Sequence, residues 1–168
     1  MNSEVGKGSV FRLELPRAET RYVSHYDDDE VESSRESVLS GMQVLCIDNE
    51  PAILEGMQAV LETWGCVFHG VTEWQDDLPW APDALLVDYH LSDNVTGIML
   101  AEQFQQRFGA DKPVVVISAD RNNDVRAQAK SRAYFFLRKP LKSASLWSVL
   151  ARINDMKSLE GTIVNGPQ

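Results

Sequence analysis

Five short, almost uninterrupted apolar runs, set apart by helical patterns, limit what this chain can fold into more than any other feature. They are QVLCI (43–47), VFHGV (67–71), ALLV (84–87), VVVI (114–117) and AYFFL (133–137). A strand with one face in water alternates apolar and polar residues. Continuous runs of this length instead mark strands covered on both faces, as in a parallel sheet between two layers of helices. The intervening segments supply those layers. After Pro51, a residue suited to a first helical position, Ile53, Leu54, Met57, Val60, Leu61 and Trp64 recur near the helical period, and Gly65 ends the stripe. Residues 98–108 and 146–156 carry similar stripes. The segment TEWQDDLPWAP (72–82) predicts only a short second helix, because Pro79 and Pro82 interrupt it. Residues 41–157 are therefore expected to form one doubly wound α/β domain, a five-stranded parallel sheet of order 2-1-3-4-5 with helices on both faces.

The flanks have a different character. Residues 17–40, RAETRYVSHYDDDEVESSRESVLS, are acidic and rich in serine, and the run Asp27, Asp28, Asp29, Glu30 repels itself in any compact form. This stretch is expected to be a flexible acidic linker, with His25 a solvated residue within it, and residues 158–168 to be a disordered tail. The net charge of −9 opposes nonspecific binding to nucleic acid or to an anionic membrane surface. No run approaches the roughly 20 apolar residues of a membrane span, and the first ten residues lack a secretory pattern, so a cytoplasmic location without membrane insertion is expected. Cys46 and Cys66 lie beside apolar runs without metal-ligand spacing, and are read as reduced packing residues.

In an open parallel sheet, ligands bind beyond the carboxyl ends of the strands, near the point where strand order reverses. Here those ends carry Asp48-Asn49-Glu50, Asp88-Tyr89-His90, Ser118-Ala119-Asp120 and Arg138-Lys139-Pro140. Taken singly, Asp48, Asn49, Asp88 and Ser118 could cap helices or turns, and Lys139 could be a solvated charge. Four strands ending this way on one edge make coincidence a poor account. Oxygen ligands from Asp48, Asp88 and a nearby backbone carbonyl suit Mg²⁺, which retains several waters and favours a carboxylate or two plus a phosphate. A lysine to balance phosphoryl charge and a hydroxyl to donate to it complete a set able to place a phosphoryl group on an aspartate.

Residues 42–157 resemble the receiver domains of two-component signalling, which have a flavodoxin-like fold. The likeness is carried by the acidic position after the first strand (IDNEP), the acceptor in LLVDYHL, the hydroxyl in VVVISAD and the pair in FLRKP. The resemblance implies that Asp88 is the phosphoacceptor. Asp48, Asn49, Asp88 and the His90 carbonyl would form the Mg²⁺ site, and Ser118 would be the switch hydroxyl. Lys139 would contact the phosphoryl group, with a cis Lys139-Pro140 bond. Phe136 would swing inward with Ser118, altering the surface of the fourth helix, fifth strand and fifth helix, on which Trp147 is a candidate partner contact. His90 and Asp120 would flank the water that hydrolyses the acyl phosphate. The donor or acceptor would be a histidine kinase core or a histidine phosphotransfer protein. At the front, GKGSVFRLELP (6–16) resembles the closing strand of a histidine-kinase ATP-binding domain, so residues 1–16 are expected to be a remnant of one and the chain to be the C-terminal piece of a hybrid sensor histidine kinase. The kinase's nucleotide-binding and phosphohistidine motifs do not occur, so ATP-dependent kinase activity is not expected.

Three other readings compete. A haloacid-dehalogenase-type phosphatase needs a second aspartate two residues after its nucleophile, and neither DNEP nor DYHL has one. A flavin-binding protein needs a phosphate loop rich in glycine and hydroxyls after the first strand. A pseudo-receiver serving only as an interaction module is the closest rival, because Asn49 stands where the family usually has a carboxylate.

Overall fold

In the computed structural model, secondary structure is described for residues 2–4, 8–10, 38–92, 94–120 and 123–163, and side chains for 38–92, 94–120 and 123–157. Near the start, β1 (Asn2–Glu4) and β2 (Gly8–Val10) pair as an antiparallel hairpin. Most of the alternating strand expected over 10–15 lies outside the described residues, as does the acidic stretch up to position 37.

The five apolar runs become β3 (Gln43–Ile47), β4 (Val67–Val71), β5 (Ala84–Asp88), β8 (Val114–Ser118) and β9 (Phe135–Arg138). They form one all-parallel sheet of order β4-β3-β5-β8-β9, which is the expected 2-1-3-4-5 counted along this sheet. Every residue of β5 and β8 is buried, as strands lacking polar alternation require. The last strand starts two residues later than expected. Ala133, at φ 60°, and Tyr134 belong instead to the turn that leaves the preceding helix.

Helices α1 (Pro51–Thr63), α2 (Gly97–Phe108), α3 (Asn123–Ser131) and α4 (Ser143–Ile163) flank the sheet. Two cores result. Leu54, Met57 and Leu61 of α1 and Leu146, Leu150 and Ile153 of α4 pack on one face, and Ile98, Ala101 and Phe104 of α2 with Val125 and Ala129 of α3 pack on the other. Burying each large side chain contributes about 1.5–3 kcal/mol. Pro51 opens α1, and Gly65, at φ 75°, closes it, where a side chain would be strained and would also crowd Ser40.

Several expectations need correction. The short helix expected in 72–82 does not form. That segment is irregular between its prolines, and Trp74 and Leu78 cover the sheet face in its place. Leu39, assigned above to the linker, is fully buried and helical, so the ordered domain begins by residue 38. Helix α4 continues to Ile163, so 158–163 is helical rather than part of a tail. Trp147 is only partly exposed and packs against the core beneath α4. One element had no signal in the apolar pattern: β6 (His90–Ser92) and β7 (Val95–Thr96) form a small hairpin immediately after β5.

Candidate functional site

Because β3 lies directly between β4 and β5, the residues that end β3 and β5 are neighbours at the same edge of the sheet. Asp48 and Asp88 are both buried there, at 3% and 6% exposure, deep enough that their charges need partners. Each receives a backbone N–H from two residues further on. Glu50 N donates to Asp48 Oδ1 at 3.0 Å, and His90 N donates to Asp88 Oδ2 at 2.9 Å. The remaining oxygens face one cation. Lys139 Nζ lies 3.0 Å from Asp48 Oδ2 and 2.8 Å from Asp88 Oδ1.

Lys139 reaches this position from the far edge of the sheet. Its backbone N–H is held by the Ser118 carbonyl at 2.9 Å, and it precedes a cis Lys139-Pro140 bond. Burial lowers the pKa of its ammonium, but hydrogen bonds and attraction from Asp88 and Asp48 outweigh that and hold it above 10.5. Ser118 is fully buried, and its Oγ accepts the Asp120 N–H at 3.1 Å. Above the acids, the His90 ring meets Asp120 Oδ2 at 2.7 Å, with the His90 side chain mostly exposed and that of Asp120 partly so.

Not every expected residue joins the cluster. Asn49 is exposed beside Asp48, and Phe136 is partly buried on β9, away from the acids and against the second core. Among the described residues, no group of three or more His, Cys, Asp or Glu side chains could hold a metal ion. The donors that do converge are hard oxygens, two from buried carboxylates, with the Asn49 amide and the His90 carbonyl adjoining in sequence. That set fits Mg²⁺, which needs few protein ligands.

Two contributors escaped the sequence reading. Gly97, the first residue of α2, passes so close to β5 that a Cβ would lie 2.3 Å from the Asp88 carbonyl oxygen. The available signal was a glycine opening a helical stripe nine residues after Asp88. An apolar cavity of about 620 Å³ also runs from Asp48, Asp88 and Lys139 between α1 and α4, floored in part by Ala52, Gly56 and Met57. Small residues at Ala52 and Gly56, one turn apart, hollow this face of α1. Cys46 borders the cavity. Burial holds its thiol well above the ordinary value and pushes Cys66 up to about 11, so both are packing residues, as expected.

A family model described as response regulator receiver domain matches residues 44–151. No curated protein matches the chain. Among solved structures, NtrX from Brucella abortus is 23% identical, covering 72% of this chain and 28% of that one, with a TM-score of 0.64. A CheY-like receiver domain protein from Methanospirillum hungatei is 16% identical over 72% of this chain and 99% of its own, with a TM-score of 0.60. CheY4 from Vibrio cholerae is 15% identical over 68% and 99%, with a TM-score of 0.57. At these identities the likeness establishes the fold.

Proposed function

The chain belongs to the response regulator receiver domain family, and on that premise we propose that Asp88 accepts a phosphoryl group from a phosphohistidine. The observation that carries this reading is Lys139 Nζ seated between two buried carboxylates at 3.0 and 2.8 Å. An Asp88 oxygen attacks phosphorus, the new P–O bond forms as the P–N bond breaks, and the electron pair of the broken bond stays with the imidazole. Lys139 balances charge on the transferred oxygens, and the Ser118 hydroxyl donates to one of them. Asp48, Asn49, Asp88 and the His90 carbonyl would hold Mg²⁺, which when bound supplies further neutralisation of the phosphoryl oxygens.

The phosphodonor, or the acceptor in a relay, is a histidine kinase core or a histidine phosphotransfer protein. The apolar cavity leading to Asp88 suits a helix presenting the reactive histidine. On phosphorylation, Ser118 and Phe136 shift together and the surface formed by α3, β9 and α4 changes. The segment 6–16 supports a parent that is a hybrid sensor histidine kinase working in the cytoplasm. Among the described residues no helix is long and apolar enough to cross a membrane.

Asn49 favours a second reading, a pseudo-receiver that only binds partners. The two separate cleanly. Incubation with Mg²⁺ and acetyl phosphate or beryllofluoride is expected to modify Asp88, read by mass spectrometry or amide shifts. If neither reagent alters the wild type more than Asp88→Asn, the phosphoacceptor reading fails and the interaction module stands.

A further inference from the structure

A groove of about 520 Å³ lies between α3, β9 and α4, lined by Phe136 and by three exposed cations, Arg126, Arg138 and Lys142. Among the described residues none of the three has a carboxylate within ion-pair distance. Asp124, two positions before Arg126 on α3, points away from it, because residues two apart on a helix do not face each other. A concentration of positive charge on a chain of net charge −9 calls for an anionic occupant. The chain carries one: Asp27, Asp28, Asp29 and Glu30 are consecutive, with Glu32 close behind, and lie outside the described residues.

We propose that this acidic run docks in the groove of its own chain. Reach permits it. The Val38 carbonyl accepts a hydrogen bond from Asn154 Nδ2 at 2.9 Å, which fixes residue 38 beside α4. Ser145, on the groove, is nine residues earlier on that helix, about 13 Å along its axis and half a turn around a cylinder about 10–12 Å wide. The path over the helix surface is therefore roughly 22 Å, and eight residues from Glu30 to Val38 span up to about 26 Å. Tethering raises the local concentration of the acids to the millimolar range, enough for a contact made mostly of exposed charge. The contact depends on charge and tether alone, so it stands or falls separately from phosphotransfer at Asp88.

The test uses the full chain with a nitroxide on Ser33→Cys. Cys46 and Cys66 are buried with raised thiol pKa values, and so resist labelling. At low salt, the amide signals of Arg126, Arg138 and Lys142 are expected to weaken about twofold or more relative to the reduced label, and to recover in about 0.5 M NaCl. Recovery is also expected in a chain carrying Asp27→Asn, Asp28→Asn, Asp29→Asn and Glu30→Gln, and in Arg126→Glu/Arg138→Glu. Unweakened amides, or weakening that survives neutralisation of the acids, would overturn the proposal. So would weakening that arises only when labelled and unlabelled chains are mixed, since a second copy would then supply the acids.

Discussion

Replacing Lys139 with methionine removes the cation shared by Asp48 and Asp88 while keeping the length of the side chain. The two contacts, at 3.0 and 2.8 Å, each contribute roughly 6 kcal/mol of attraction at an effective dielectric near 20, before desolvation is subtracted. Most of that is offset by the desolvation of the ammonium. What decides the outcome is what remains: two carboxylates, at 3% and 6% exposure, without a counter-charge. Breaking a buried ion pair from one side costs about 3–5 kcal/mol. The lower end applies here, because Asp48 keeps the Glu50 N–H and Asp88 keeps the His90 N–H. We therefore expect a loss of about 3 kcal/mol at pH 7, a large part of the roughly 5–15 kcal/mol that holds a domain together. Urea unfolding followed by tryptophan fluorescence measures it, with the slope unchanged and the midpoint lowered. A loss below about 1 kcal/mol, the range of exposed pairs, would mean that solvent screens Lys139 and that the buried-triad argument is wrong.

Gly97→Ala places a methyl 2.3 Å from the Asp88 carbonyl oxygen, and the backbone there cannot yield as a flexible side chain would. We expect about 1–3 kcal/mol of destabilisation and a disproportionate drop in the rate of Asp88 modification by acetyl phosphate; an unchanged rate would show that the turn is free to move. Asn49→Asp adds a full carboxylate beside Asp48 and is expected to tighten Mg²⁺ binding in a fluorescence titration, whereas no gain would mean that residue 49 does not touch the metal. Lys139 has a folded pKa above 10.5, so its contribution is complete below that value and is lost as pH rises through the higher folded one. The stability gap between wild type and Lys139→Met should accordingly stay constant from about pH 7 to about pH 9 and narrow above about pH 10.5.

The sheet was legible because burial on both faces leaves a mark that needs no tertiary knowledge: QVLCI, ALLV and VVVI have no polar alternation, and all three became inner strands. The acids, hydroxyl and lysine were legible as strand-end residues for the same reason, since the rule for parallel sheets says where such ends point. The segment 72–82 misled because its helix signal was weak and two prolines overrode it, while Trp74 and Leu78 still did the covering that a helix would have done. The hairpin from His90 to Thr96 left no trace, because strands of two or three residues are too short for any periodicity. Gly97 looked like an ordinary helix start, and only the approach of the Asp88 carbonyl gave it a role.

By itself, then, the sequence determined a parallel α/β sheet and the residue types at its carboxyl edge, because hydrophobic burial is written in local pattern. Only the tertiary structure decided that Asp48 and Asp88 share one cation. That depends on β3 lying beside β5 and on Lys139 crossing from β9, 91 residues along the chain from Asp48. Local pattern carries no distance between such residues. Strand order and the packing of α1 and α4 fix it, and with it the charge balance on which the site depends.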